Sequence, residues 1–325
     1  MLMSNKIVVT NRIHPEVRTR LESVGQVVMN PELEPWSQTV LAQHLHDATA
    51  VMGFMTDCVD DALLQQASSL KIVACALKGF DNYDVEACTA RKIWVSIVPD
   101  LLTEPTAELA VGLAIALGRH ILAGDSQMRS GPFKGWRAQF FGKGLHHSTC
   151  AILGLGMVGK AIAQRLSGFG CTEILGVDPI NTVSGVISCS LPEALSGADY
   201  VFVAIPLNAQ SVDLLSDPEF GQCRYGQLMI NVGRGSVVNE QAVAQALEQG
   251  RLAGYAADVF ACEDWGLSNR PQAIEPKLLA HPNTVFTPHL GSAVSRVRLA
   301  IEHRAADNII AALQDKAPPD AINRI

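Results

Sequence analysis

The sequence predicts an α/β protein of two domains, each built on a parallel β-sheet with helices on both faces. The chain of 325 residues is longer than one ordinary hydrophobic core needs. Short β-branched runs alternate with helical stretches from residue 6 to residue 99, and the alternation resumes after residue 150. A glycine-rich turn joins the first strand and the first helix of this second series. Because such alternation is typical of parallel sheets, both halves are assigned to the same fold class.

The composition narrows the choice of partners. With 48% hydrophobic residues, 18% charged residues and a formal net charge of -7, the chain has no general attraction for nucleic acid or for an anionic membrane. The eight cysteines are scattered without the spacing of metal ligands, which predicts reduced thiols in the cytoplasm and no metal. The amino terminus lacks the apolar core of a secretory signal, and no apolar run is long enough to span a bilayer.

The amino-terminal series of elements predicts a substrate-binding domain. Parallel strands end at a common edge where ligands bind, and the loops at this edge include residues 55–56 and 77–81. The predicted strands cover residues 6–10, 25–28, 49–54, 71–76 and 93–97, and the predicted helices cover residues 15–24, 37–48, 60–68 and 84–92.

Residues 151–179 carry the pattern of a dinucleotide-binding turn. Gly154 permits the tight turn, Gly156 lets a pyrophosphate approach the backbone, and Gly159 lets the helix pack closely on the strand. Asp178 ends the next strand at the position that receives the ribose hydroxyls. Glycines that serve only a tight turn are the alternative. The setting between a strand and a helix favours a Rossmann-type NAD-binding domain.

The choice of cofactor follows from the end of the second strand. Asp178 would accept hydrogen bonds from the adenosine ribose and repel a 2′-phosphate. Residues 179–181 supply no arginine that could bind such a phosphate. NAD is therefore expected rather than NADP.

Residues 103–148 connect the two series of strands. Thr103 with Pro105 offers a helix start, and residues 106–120 predict an almost continuously apolar helix. Such a helix must be buried, between domains or between subunits. Residues 120–148 are rich in Gly, Phe and Trp and lack clear periodicity. They could form an arm that packs on a second subunit or a loop that solvent covers.

Three polar residues at strand ends could form an acid/base site beside a hydride acceptor. His289 is a natural general base, Glu263 could orient it, and Arg234 offers a planar fork to an oxyanion. Each also has a plain explanation. His289 could cap a helix, Arg234 could pair with a surface acid, and Glu263 beside Asp264 could lie in a solvated loop.

The order of the motifs resembles the D-isomer-specific 2-hydroxyacid dehydrogenase family over nearly the whole chain. The carrying stretches are GLGMVGK with VDP, NVGRGSVVNEQAVAQALEQG, AADVF and HPNTVFTPHLGS. The resemblance implies a discontinuous, flavodoxin-like substrate domain of residues 1–100 and 292–325. It also implies an NAD-binding domain of residues 101–291 with a dimerisation arm near residues 119–148, a cleft between the domains, and a homodimer. The family triad falls on Arg234, Glu263 and His289.

The chain departs from the family pattern at one place. An acidic residue usually precedes the Glu of a VDE triplet, whereas this chain has Asn239 before Glu240. Because Asn is a good N-cap, we expect the helix to start there without functional loss.

Within the family, the sequence is most similar to members that oxidise phosphite to phosphate with NAD. The stretch ACALKGFDNYDVEACTAR carries much of this likeness, together with VPDLLTEPTAELAVGLAIALGRH, RGSVVNE, GYAADVF with EDW, and PHLGSAVSRVR. Phosphite can carry two negative charges, so a second cation, Lys78, would assist Arg234. Lys78 could instead be a surface lysine in a turn. Two alternatives stay open: a dehydrogenase for a small carboxylate such as glyoxylate or hydroxypyruvate, and a binding protein that senses nicotinamide redox state.

The resemblance also assigns further site residues. In the expected mechanism, phosphite is clamped by Lys78, Arg234 and the amides of residues 78–79. His289, oriented by Glu263, deprotonates the water that attacks phosphorus. The alternative is that another group is the base. Further substrate contacts are expected from Met55, Gly79, Arg298 and, through the arm of a partner subunit, Trp136. The expected cofactor contacts, besides Gly154, Gly156, Gly159, Asp178, Arg234 and His289, are Thr106, Met157, Val158, Pro179, Leu207, Val232, Gly233, Asp258, Gly291 and Ser292.

Overall fold

The computed structural model describes residues 5–325, so what the sequence predicts for residues 1–4 lies outside the described part. The strands are β1 (Lys6–Val9), β2 (Gln26–Met29), β3 (Ala50–Gly53), β4 (Ile72–Cys75), β5 (Trp94–Ser96), β6 (Thr149–Leu153), β7 (Glu173–Val177), β8 (Ile187–Ser188), β9 (Tyr200–Val203), β10 (Gln227–Asn231), β11 (Leu252–Ala257) and β12 (Thr284–Phe286). The helices are α1 (Pro15–Glu22), α2 (Gln38–Leu45), α3 (Asp61–Leu64), α4 (Val85–Ala90), α5 (Thr103–Gly118), α6 (Ile121–Ser130), α7 (Met157–Leu166), α8 (Leu191–Gly197), α9 (Asp217–Gln222), α10 (Glu240–Glu248), α11 (Pro276–Ala280) and α12 (Ser295–Leu313). Short 3-10 turns cover Ser167–Phe169, Gly235–Val237 and Ala261–Glu263.

The chain divides into two compact units. The first holds the described residues up to Leu102 together with Trp265–Asn269 and Ala293–Ile325, and the second holds Thr103–Asp264 and Arg270–Ser292. The sequence placed residues 265–269 in the NAD-binding domain, which is wrong, because they pack with the first unit. A Cβ on Gly266 would lie 2.2 Å from the backbone oxygen of Asp81, so glycine permits this close approach.

The first unit contains a five-stranded parallel sheet in the order β2-β1-β3-β4-β5. This strand order is that of flavodoxin-like proteins. The strands β3 and β4 are buried along their whole length. Apolar clusters cover both faces of the sheet, as the parallel arrangement requires.

The second unit contains a seven-stranded parallel sheet in the order β12-β11-β10-β9-β6-β7-β8. The strand order reverses between β6 and β9, which is the switch point where Rossmann-type sheets bind dinucleotides. Alternate residues of β6 point into two different apolar clusters, one on each face of the sheet. The predicted α/β fold with a Rossmann-type domain is therefore confirmed.

The connection between the sheets contains two helices rather than one. The helix α5 begins at Thr103, as the sequence predicts, and ten of its 16 residues are buried. Residues 120–148 show no clear periodicity in the sequence, yet Ile121–Ser130 forms the helix α6, none of whose residues is buried. Within residues 5–325, no single helix is long and apolar enough to cross a membrane. Only α5 and α6 taken together reach that length and hydropathy, and their axes are bent by 60°.

Candidate active site and cofactor site

The glycine-rich turn follows β6 directly, and its three glycines have different tasks. Gly154 has a φ of +91°, and a Cβ there would lie 2.7 Å from the backbone oxygen of Ala204. A Cβ on Gly159 would lie 1.9 Å from the backbone oxygen of Gly154, so this glycine lets α7 lie against the turn. A Cβ on Gly156, the N-cap of α7, would meet no atom within 4 Å. This open space at a helix N-terminus fits a pyrophosphate.

Asp178 stands at the end of β7 and links the turn to the next loop. Its carboxylate accepts hydrogen bonds from the backbone N–H groups of Leu155 (2.7 Å), Ile180 (2.9 Å) and Asn181 (2.7 Å). Burial acts to raise the pKa of this carboxyl, but the hydrogen bonds outweigh it and the pKa is lowered. The group therefore stays ionised beside the glycine turn, which suits an acceptor for ribose hydroxyls.

The remaining predicted cofactor residues lie on loops of the second unit, near the start of α5 or at the start of α7. Met157 is 43% exposed at that start, whereas Val158 packs against the core. Val232 and Gly233 follow β10, and a Cβ on Gly233 would lie 2.6 Å from the backbone oxygen of Ile205. The others are Pro179 after Asp178, Leu207 against the core after β9, Thr106 in α5, and Asp258, Gly291 and Ser292 described below.

His289 and Glu263 meet in the second unit. The Nδ1 atom of His289 lies 2.9 Å from Oε2 of Glu263, and the two side chains are 26% and 28% exposed. The other oxygen of Glu263 accepts a hydrogen bond of 2.7 Å from the backbone N–H of Phe260. A carboxylate held in this way fixes the orientation of the imidazole and leaves Nε2 for a reacting group. His289 does not cap a helix, because it lies in the loop between β12 and α12.

Asp258 organises the loop that carries His289. Its carboxylate accepts hydrogen bonds from the Thr287 hydroxyl (2.6 Å) and from the N–H groups of Leu290 (2.7 Å) and Gly291 (2.8 Å). The backbone N–H of His289 donates to the Asp258 carbonyl over 2.9 Å. Burial raises the pKa of the Asp258 carboxyl, and these hydrogen bonds act against it. Asp258 is 2% exposed, so the structure gives it a positioning role, and its contact with the nicotinamide stays a prediction.

Gly291 and its neighbours place α5 beside the same loop. A Cβ on Gly291 would lie 3.0 Å from the Thr106 hydroxyl and 3.3 Å from Oδ2 of Asp258. The predicted cofactor residues Thr106, Asp258 and Gly291 are thus brought together, and Ser292 follows Gly291 in sequence.

Arg234 lies in a turn that its neighbours hold rigidly. The buried Asn231 side chain donates to the Arg234 carbonyl (3.0 Å) and accepts from the N–H of Gly233 (3.0 Å). The backbone of Gly235 lies against Phe260, since a Cβ on Gly235 would be 1.8 Å from the Phe260 carbonyl carbon. The Arg234 turn therefore packs directly on the segment that leads to Glu263.

Two acidic residues position the site, and the sequence did not predict this role for either of them. Asp264 is 2% exposed and accepts a hydrogen bond of 2.7 Å from the N–H of Ser236, so the alternative of a solvated Glu263–Asp264 loop is wrong. Glu240 accepts from the N–H groups of Ala261 (3.0 Å) and Glu275 (2.9 Å). In the sequence, Asp264 is marked only by its place beside Glu263, and Glu240 only by its place at a helix start. Asn239 caps α10, as predicted, by accepting from the N–H of Ala242 over 3.0 Å.

In the first unit, the loop after β3 is fastened by buried polar groups. Asp57 accepts from the Thr10 hydroxyl and from the Phe54 N–H, and burial raises the pKa of its carboxyl to about 6. The Asn82 amide donates to the carbonyl groups of Met55 (3.4 Å) and Asp57 (2.5 Å). The loop with Met55 and the loop that follows β4 are thereby held together, and Met55 packs partly on the core.

Lys78 and Arg298 lie at this same sheet edge. Lys78 and Gly79 follow β4 and are half-buried. Burial lowers the pKa of the Lys78 ammonium, and the negative charge of Asp100 opposes this only in part. Arg298 of α12 donates to the Ala76 carbonyl over 3.3 Å, its guanidinium lies 5.6 Å from the centre of the Phe54 ring, and burial lowers its pKa. Lys78 is therefore not the exposed surface lysine of the plain alternative.

Trp136 lies on the chain between α6 and β6 and is 77% exposed. The contact of Trp136 with substrate through a partner subunit stays a prediction.

The part of the chain that the structure describes contains no group of three or more His, Cys, Asp or Glu side chains that could hold a metal ion.

The Rossmann sheet, the glycine turn with its acidic neighbour, and the carboxylate-oriented histidine define a class of nicotinamide-dependent oxidoreductases. The comparison with known families agrees. Residues 111–291 match the D-isomer specific 2-hydroxyacid dehydrogenase, NAD binding domain. Because this match covers more than half of the chain, the protein belongs to the D-isomer specific 2-hydroxyacid dehydrogenase family, and its second unit is an NAD-binding domain.

Similar proteins match over almost their whole length. The chain is 30% identical over 331 residues to a glyoxylate reductase of Thermococcus litoralis, covering 99% of this chain and 98% of that protein. It is 31% identical over 327 residues to a glyoxylate/hydroxypyruvate reductase B of Serratia proteamaculans, with 99% and 98% covered. The crystal structure of a putative D-isomer specific 2-hydroxyacid dehydrogenase from Polaromonas superposes with a TM-score of 0.89 at 28% identity, covering 98% of this chain and all of that one.

Proposed function

We propose that the protein oxidises phosphite to phosphate and reduces NAD, as a phosphonate dehydrogenase does. The observation that supports the proposal is the half-buried Lys78 at the ligand edge of the first sheet. Within residues 5–325 its side chain forms no hydrogen bond or ion pair. A cation kept partly from water without a bound anion is energetically unfavourable, so an anionic substrate would stabilise it.

The negative charge of the substrate determines whether a second cation such as Lys78 is needed. A 2-hydroxy acid brings one carboxylate, for which one arginine fork suffices, whereas phosphite can bring two negative charges on three oxygens. In the proposal, Lys78 supplies a cation besides Arg234. Arg298, which lies at the same edge as Lys78, adds positive potential there.

The proposed reaction converts phosphite and water to phosphate, with one hydride and one proton released. NAD supplies the hydride acceptor. His289, oriented by Glu263, takes the proton of the water whose oxygen forms the new bond to phosphorus as the P–H bond breaks. Lys78 and Arg234 bind the phosphite oxygens and keep the P–H bond directed at the acceptor.

A second candidate is the reduction of a small 2-oxo acid such as glyoxylate or hydroxypyruvate. The names of the relatives support this alternative better than they support phosphite oxidation, because both are reductases of these substrates. In this reaction Arg234 would bind the carboxylate, and His289 would donate a proton to the substrate oxygen as the hydride arrives.

One assay separates the two candidates. The purified protein is mixed with NAD and phosphite, and NADH formation is followed by absorbance; a parallel assay follows NADH consumption with glyoxylate and with hydroxypyruvate. Turnover with phosphite at a kcat/KM well above that of the two oxo acids is expected. Turnover with the oxo acids and none with phosphite would assign the second candidate.

We further propose that the protein acts as a homodimer in the cytoplasm. The segment between α6 and β6 exposes Phe133, Trp136 and Phe141 by 67%, 77% and 78%, an apolar surface that a second copy would cover. All eight cysteines are free thiols, which suits a reducing compartment.

A further inference from the structure

Two of the eight cysteines lie in contact at the amino-terminal ends of the strands β6 and β7 of the NAD-binding sheet. The Sγ atoms of Cys150 and Cys171 are 3.6 Å apart. Cys150 is the second residue of β6 and is fully buried, whereas Cys171 precedes β7 and is partly exposed. Both side chains belong to the same apolar cluster on one face of the sheet.

The backbone on both sides of the pair is fixed by the sheet. The strand β6 pairs with β7 in parallel, with Cys150 opposite Ile174. The N–H of Thr172 donates to the carbonyl of Ser148 over 2.9 Å, which extends the strand pairing to the residues beside the two cysteines. A disulfide needs an S–S distance of about 2.05 Å, so side-chain movement of about 1.5 Å would close the bond. The fold therefore holds the two thiols near bonding distance.

We propose that Cys150 and Cys171 form an oxidisable thiol pair that a hydroperoxide converts to a disulfide. The partly exposed Cys171 reacts first: its sulfur takes one oxygen from the hydroperoxide, which leaves as an alcohol or water, and becomes a sulfenic acid. The Cys150 sulfur then attacks the Cys171 sulfur, and the sulfenic hydroxyl leaves with the Cys150 proton as water. The hydroperoxide is the oxidant, and a thiol reductant reverses the change.

The different surroundings of the two sulfurs set this order. Burial raises the pKa of the Cys150 thiol well above its usual value, so little of it is thiolate at neutral pH. Cys150 is fully buried and Cys171 is partly exposed, so an oxidant in the solvent meets the Cys171 sulfur first.

The bond would enclose the phosphate-binding segment. The two cysteines are separated by 21 positions, and the glycine turn and α7 lie between them. The turn follows the opposite end of β6, so the bond would not occupy the space beside Gly156. Closing a loop of this length stabilises the folded state, and we expect the oxidised protein to bind NAD and to unfold at a higher temperature.

The test treats the full chain with hydrogen peroxide at neutral pH, blocks the remaining thiols and maps the peptides by mass spectrometry. A peptide pair joined through Cys150 and Cys171 is expected, with loss of two titratable thiols and recovery of both by dithiothreitol. The Tm should rise by about 5–10 °C on oxidation. Oxidation of Cys171 alone to a sulfinic acid, without the joined peptides, would overturn the proposal, as would joined peptides with a lowered Tm.

Matched variants locate the effect. Cys171→Ala and Cys150→Val should each abolish the joined peptides and the Tm shift. Cys189→Ala removes a cysteine that is also partly exposed but whose sulfur lies near the Gly176 carbonyl rather than another thiol, and it should keep both. Retention of the Tm shift in Cys171→Ala would contradict the assignment. The wild-type measurement stands if a variant fails to fold, and none of these outcomes depends on the substrate.

Discussion

At the scale of single residues, His289 occupies a conformation that its surroundings must maintain. Its φ of +56° lies in the left-handed region, which costs non-glycine residues free energy. Asp258 holds the backbone on both sides of it, and Glu263 holds the ring. A histidine placed at this cost and tied at three points is one whose imidazole direction matters, which is consistent with a proton-transfer role.

Lys78 carries the first prediction. Replacing Lys78 by Ala should raise the KM for phosphite by about 10- to 100-fold, because a hydrogen bond to a charged group contributes about 1.5–3 kcal/mol. The KM for NAD should change little, since Lys78 belongs to the first unit. Steady-state NADH formation measures both constants.

Lys71 provides the control. It is a lysine of the same unit that is paired with Asp315 at 2.8 Å and is 45% exposed. Lys71→Ala should leave the KM for phosphite unchanged, and Lys78→Arg should recover part of the binding. An unchanged KM in Lys78→Ala would remove the argument for a second cation.

Asp57 carries a prediction about pH. Because its folded pKa is raised to about 6 from an ordinary value near 3.8, the stability that proton binding contributes is full below pH 3.8 and is lost as the pH rises through 6. The deprotonated carboxylate costs about 3 kcal/mol at neutral pH. Asp57→Asn removes this term, and its one amide oxygen can still accept from Thr10 and Phe54, which share one Asp57 oxygen.

Urea unfolding at pH 4.5 and pH 7.5 checks this. The wild type should gain stability relative to Asp57→Asn as the pH falls between these values. A difference between the two proteins that is the same at both pH values would show that the carboxyl does not take up a proton in this range. Asp47→Asn, at an exposed acid of the same unit, is the matched control and should not show this gain.

At the scale of elements, the strand, turn and helix around the three glycines determine cofactor binding. Gly156→Ala places a methyl group in open space, so folding should be retained while the KM for NAD rises at least tenfold, because the methyl group enters the space of the pyrophosphate. Gly159→Ala places a methyl group 1.9 Å from the Gly154 carbonyl oxygen, so α7 must shift.

Thermal unfolding and NAD titration separate these two effects. Gly159→Ala should lower the Tm by several degrees through overpacking and also weaken NAD binding. Gly156→Ala should leave the Tm within about 2 °C of the wild type. The prediction for Gly156 fails if NAD binds equally well to that variant. Gly112→Ala, at a helix position with no atom within 4 Å of the added methyl group, serves as the control for both.

At the scale of the whole molecule, the exposed aromatic side chains before β6 carry the last prediction. Light scattering after gel filtration should give twice the 34.8 kDa of the chain. Replacing Phe133, Trp136 and Phe141 together by Ser should give the monomer mass. Ile180→Ser removes an apolar side chain that is 88% exposed elsewhere in the second unit, and it should stay dimeric. A monomeric wild type would refute the proposed homodimer.

Family membership explains the fold of the whole molecule but not its substrate. Relatives that are about 30% identical share the chain almost from end to end. Strand order and cofactor turn depend on patterns spread over many residues, whereas the choice between phosphite and a carboxylate rests on a few side chains such as Lys78. The substrate therefore has to be tested directly.

The sequence by itself determined the two α/β sheets and the dinucleotide turn. Alternating β-branched and helical stretches predict parallel sheets because each short pattern reflects local geometry, and the spacing of Gly154, Gly156 and Gly159 reflects steric demands within a few residues. The start of α5 at Thr103 and the cap at Asn239 followed from local rules in the same way.

Only the tertiary structure decided how distant residues meet. The pairing of His289 with Glu263 spans 26 positions, and the contact of Ser236 with Asp264 spans 28. The packing of residues 265–269 with the first unit and the contact of Cys150 with Cys171 likewise depend on where the chain returns in space. Burial, which changes the pKa of Asp57 and Lys78, is a sum over neighbours from many parts of the chain, and no local pattern records it.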